Sequence, residues 1–174
     1  MEKKVTTHIV KGLIISLILI VFDLIGGFAA FKFQGWYRWT TSGLLVVAVI
    51  WACINYGMQK NQNVTFGELF SHGFKTSAVV ACVMVLFSIV SLLLLFPETK
   101  EQALDMARKQ MEQKGNLTED MIDRSMDITR KMFIPFAIIG VIIGTLVVGL
   151  IGSLIGAAVT KKNPQAEFEN QFKS

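Results

Sequence analysis

"ISLILIVFDLIGGFAAF", residues 15–31, holds a single charged side chain, Asp23, among seventeen residues. A helix rises 1.5 Å per residue, so about 20 residues of this kind cross the ~30 Å hydrocarbon layer of a bilayer. Lys11 and Lys32 bracket this block and leave 20 residues between them. Three further blocks read the same way: Arg38 and Lys60 bracket 21 residues, Lys75 and Glu98 bracket 22, and Lys131 and Lys161 bracket 29. The expected fold is therefore all-α, an integral membrane bundle of four transmembrane helices over about 12–31, 39–59, 76–97 and 132–160, forming one membrane domain over residues 1–174. By helical rise the fourth block would reach ~43 Å, which calls for tilt or protrusion.

Composition agrees. The 174-residue chain is 52% hydrophobic, its mean hydropathy is +0.52, and the apolar residues lie in long blocks, as in membrane proteins. The formal net charge of +4 sits beside those blocks, where anionic headgroups attract it. No basic stripe interleaved with aromatics points to nucleic acid. Cys53 and Cys82 fall inside apolar blocks without a zinc or C-x-x-C spacing and read as small buried hydrophobes. The first block is too long for a signal-peptide core and is expected to stay as an anchor. Trp36, Tyr37 and Trp39 read as interfacial rings. Lysines and arginines number eight on one side of the membrane and nine on the other, but seven of the nine lie in one long segment, 98–131, mixed with eight acids. Short loops weigh most in orientation, so both termini are expected on the cytoplasmic side of a bacterial inner membrane.

Segment 98–131 reads as an extramembrane helical hairpin between the third and fourth spans. Gly115-Asn116 is expected to end its first helix, and Thr118 to begin the second with Leu117 and Ile122 at staple positions. Met111, Met121, Met126 and Met132 with Leu104 supply its apolar side. The turn before the third span carries a capping box, Thr65 with Glu68, and staple positions Val64 and Leu69. A short interfacial helix over about 65–74, with Thr65, Phe66, Gly67, Glu68, Phe70 and Phe74, is expected to lie in the headgroup plane and bend near Gly73, with Lys75 snorkelling to the headgroups. His72 is expected on its surface.

The Phe66-Gly67 and Gly73-Phe74-Lys75 elements resemble the pattern of the domain-of-unknown-function family numbered 4199, which are bacterial integral membrane proteins. Pro97-Glu98, the charged helical segment and the glycine-rich last span ending in Lys161-Lys162 match as well, so the resemblance covers roughly residues 5–162. It implies a four-helix inner-membrane protein without an assigned activity or established site residues. The family's gene neighbourhoods imply a membrane partner, a polyprenyl-phosphate glycosyltransferase of family 2.

Asp23 is the one acid inside a span, and an acid at a helix centre costs about 2.5–3.5 kcal/mol on insertion scales. Depth along the blocks allows a polar cluster of Asp23, Ser88 and Thr145 near one level. Two readings follow for Asp23: an acid that hydrogen-bonds helices together, or the coupling group of a proton-driven carrier. In the last span, Gly140, Gly144, Gly152 and Gly156 recur at multiples of four and form a ridge that lets another helix backbone approach. That ridge serves either packing within the chain or the seam of an oligomer. H-E-x-x-H, G-x-x-x-x-G-K-[ST] and G-x-S-x-G are all missing, and neither a cofactor nor catalysis is expected. The sequence reads as a non-catalytic accessory or scaffolding subunit, acting through helix association as a homo-oligomer or with a membrane-protein partner. The alternative is a small oligomeric proton-coupled transporter using Asp23.

Overall fold

The computed structural model describes residues 5–29, 34–113 and 118–163; the side chain of Arg38 lies outside that description. The described residues form five helices, α1 (His8–Phe28), α2 (Gly35–Gln59), α3 (Phe66–Val90), α4 (Glu98–Gln113) and α5 (Glu119–Val159), and no strand. Among the described residues, four stretches are long and apolar enough to cross a membrane: α1, α2, Phe66–Leu95 and α5. The protein is an all-α, multi-pass membrane helical protein.

The helix ends have local causes. Thr7 caps α1, its hydroxyl accepting from the Val10 N–H at 3.4 Å. Lys11, Gly12, Ile15, Ser16 and Leu19 form the buried stripe of this helix, whereas Leu13, Ile14, Leu17 and Ile18 stay exposed, as lipid-facing residues do. The chain leaves α2 through Asn61 and Gln62, whose φ angles of 52° and 63° are left-handed, and the Gln62 N–H returns to the Gly57 carbonyl at 2.8 Å. The capping box then forms: Glu68 N–H donates to the Thr65 hydroxyl at 3.2 Å, and Thr65 N–H to the Glu68 carboxylate at 2.8 Å.

The helix expected over 65–74 and the third span are one element: α3 runs from Phe66 to Val90, and Leu69, His72 and Gly73 are buried. The reason is that one face of this turn packs inward, with Val64, Leu69 and Ala157 forming an apolar cluster against Tyr56 and Phe70. The second helix of segment 98–131 is continuous with the fourth span: α5 runs through Pro135 for 41 residues. Apolar spans tolerate such a proline because neighbouring groups satisfy the freed carbonyl. Of the two cysteines, Cys53 is buried but Cys82 is exposed, because an apolar residue of a span can face lipid as well as core. The turn expected at Gly115-Asn116, with Leu117, lies outside the described residues.

The chain divides into two compact units, Met1–Met84 with Ile143–Ser174, and Val85–Ile142. The first has its core in Ile15, Leu19, Leu45, Val49, Ala52 and Val80, with Leu44, Ala48, Met84 and Val148 packed around it. Small polar residues enter this unit by bonding within their own helices. Ser16, Thr76, Ser77, Ser153 and Thr160 each donate to the carbonyl four residues back, at 2.6–3.1 Å, so none of these buried hydroxyls is left unpaired. In the second unit, the third span ends in a π-helical turn, Ser91–Leu95, closed by the Phe96 N–H on the Ser91 carbonyl at 2.8 Å. Arg108 pairs with Glu112 and Asp123, and Arg130 with Glu101, each at 3.0 Å, while Leu104 and Ile122 are buried. Glu112 and then Asp123 hold the Arg108 guanidinium above its ordinary pKa.

Candidate functional site

Asp23 is half-buried in α1. The midpoint of His8–Phe28 is Ile18, and Asp23 lies five residues beyond it, about 7.5 Å by helical rise. Tyr37, expected as an interfacial ring, is instead buried beside this segment. It stacks on Phe22 with centroids 4.9 Å apart and donates its hydroxyl to the Phe22 carbonyl at 2.7 Å. Gly26 makes room for that ring, since a side chain there would collide with it. The neighbouring Trp36 and Trp39 stay exposed. The Asp23 carboxylate acts electrostatically on the Tyr37 phenol. Thr145 belongs to the same unit as Asp23, whereas Ser88 belongs to Val85–Ile142, and both are half-buried.

A second polar cluster lies at the other end of α1. A cleft of about 750 Å³ opens where α1 begins, α2 ends and α3 begins, lined among others by His8, Tyr56, Lys60, Glu68, His72 and Lys75. One wall is pinned by Gln59, which accepts from the Thr6 N–H at 2.8 Å and donates to the Thr6 hydroxyl at 2.9 Å. His72, expected on the surface, is only 7% exposed. Its ring stacks on Tyr56 at 4.1 Å and meets His8 edge-on at 6.2 Å, and its Nε2 has no hydrogen-bond partner among the described residues. Burial follows from helix phase: His72 shares the inward face of α3 with Leu69 and Thr76.

Behind Tyr56 lies Lys11, 1% exposed. Its ammonium donates to the Ala52 carbonyl at 3.1 Å and stands 5.6 Å from the Tyr56 ring centre. No carboxylate among the described residues pairs with it, so carbonyl and ring together carry a cation that burial would otherwise penalise. Charge alone marks Lys11 as the boundary of the first span. Spacing is the signal that corrects this, because Lys11 and Ile15 are four apart on the inward stripe.

The glycine ridge divides. A methyl built on Gly156 would come 2.9 Å from Cys53, and one on Gly152 would come 3.2 Å from Val49. Gly140 and Gly144 have nothing within 4 Å. Among the described residues, no group of three His, Cys, Asp or Glu is placed to hold a metal ion.

No curated protein and no solved structure matches the chain. A family described as protein of unknown function (DUF4199) matches over residues 11–162, and the chain belongs to that family.

Proposed function

We propose that the protein is a non-catalytic accessory subunit of a bacterial inner membrane that works by helix association, with α5 as the associating helix. The observation that carries this reading is the open part of α5. Its most apolar window is 6% buried, against 33% for α1, and Gly140 and Gly144 have no neighbour where a side chain would stand. Small residues gain little against lipid tails but allow another backbone to come close. A ridge of this kind is complementary to itself, so a second copy of the chain is the simplest occupant.

The test is native mass spectrometry of the tagged full chain, released gently from its own membrane. A homo-oligomer, or a stoichiometric second membrane protein, that is lost in Gly140→Leu/Gly144→Leu supports the reading. A lone monomer, or an assembly indifferent to that double substitution, overturns it. Asp23 beside the buried Tyr37 favours a second reading, proton coupling; proton flux in liposomes that disappears in Asp23→Asn would put it first.

A further inference from the structure

The cleft at the start of α1 and α3 gathers positive charge. Lys60 and Lys75 line it with His8 and His72, and Lys11 stands behind its Tyr56 wall. Glu68 is the acid among the lining residues, and its carboxylate is already engaged by the Thr65 N–H at 2.8 Å. The first turns of α1 and α3 add the positive ends of two helix dipoles. Independently of those helix ends, His72 brings a side chain more than nine-tenths buried whose Nε2 has no partner among the described residues. In the Nε2–H tautomer of a neutral imidazole that nitrogen is a donor suited to a phosphate oxygen, and no carboxylate among the described residues pairs with the buried Lys11.

We propose that this cleft binds a phosphate-bearing anion through Lys60, Lys75, His8 and His72. Dispersed lysines suit a phosphate, which they meet as point charges from several sides. The cleft's 750 Å³ falls within the range of about 300–1,000 Å³ that small-molecule sites occupy. It lies at the ends of three helices long and apolar enough to cross a membrane, and the ends of such helices fall near the headgroup layer, so a phospholipid headgroup and a soluble phosphate share the required chemistry.

The test uses the full chain in phosphatidylcholine nanodiscs, with inorganic phosphate titrated as one probe. The other probe is phosphatidylglycerol added to the disc, with retained lipid counted by native mass spectrometry. Saturable phosphate binding assigns a soluble ligand, and selective lipid retention assigns a headgroup. In either arm, Lys60→Gln/Lys75→Gln should weaken binding by about tenfold or more, while Lys100→Gln/Lys109→Gln, with the same charge change in α4, should not. Both cleft lysines are exposed rather than in the core, so the variant should fold. Binding of neither probe, or equal binding in the two double variants, overturns the proposal.

Discussion

Gly73 of α3 faces Ser153 of α5 so closely that a methyl built on the glycine would come 2.9 Å from the serine hydroxyl and 2.6 Å from the Cys53 sulfur. Gly73→Ala should therefore destabilise the protein by about 1–3 kcal/mol through overpacking. Cys53→Ala, which removes the sulfur, should recover part of that loss in the double variant. Unfolding followed by circular dichroism in detergent measures both.

Gly156 and Gly144 should respond oppositely to the same substitution. Gly156→Leu drives a side chain into Cys53 and should lower the unfolding temperature, whereas Gly144→Leu enters open space and should leave it unchanged while weakening association. Parallel melting curves and native mass spectra separate the two effects.

Lys11→Met keeps the apolar stem and removes a buried charge. Removing it relieves the desolvation cost of a charge that no carboxylate among the described residues offsets, so the variant should fold and melt no lower than the parent. Lys11→Glu should fail to accumulate in the membrane, because the carboxylate would face the Ala52 carbonyl that now accepts from the ammonium.

The Arg108–Asp123 pair joins α4 to the start of α5. Arg108→Glu should slightly lower stability in thermal unfolding. Adding Asp123→Arg should restore it, and high salt should blunt both changes because the pair is exposed.

Tyr37→Phe removes the hydrogen bond to the Phe22 carbonyl and should lower stability by about 0.5–1.5 kcal/mol. A stability unchanged in thermal unfolding would show that the ring's stacking on Phe22, and not its hydroxyl, holds Tyr37 against α1.

The long apolar blocks make the spans legible, because length and hydropathy are properties of the chain alone. The Thr65–Glu68 box is legible for a similar reason: its partners are three residues apart. What the sequence conceals depends on helix phase. His72 and Lys11 read as surface or boundary residues because polar side chains usually are, yet His72 lies three residues from Leu69 and Lys11 four from Ile15, each pair on an inward stripe. Their settings, a stacked tyrosine and a carbonyl from α2, come from distant parts of the chain. The junction near Lys131 misleads for another reason: a change from polar to apolar composition marks an environment and not a helix end.

The seat for the end of α5 is built entirely from residues that the ribosome delivers earlier. Ser77, Val49 and Cys53 line it against Gly149, Gly152 and Gly156, and the Gln62 carbonyl receives the Asn163 N–H at 2.9 Å. Synthesis runs from the N-terminus, and membrane helices insert before they pack. α5 can thus arrive at a finished groove, and its glycines add no side-chain ordering cost to that docking.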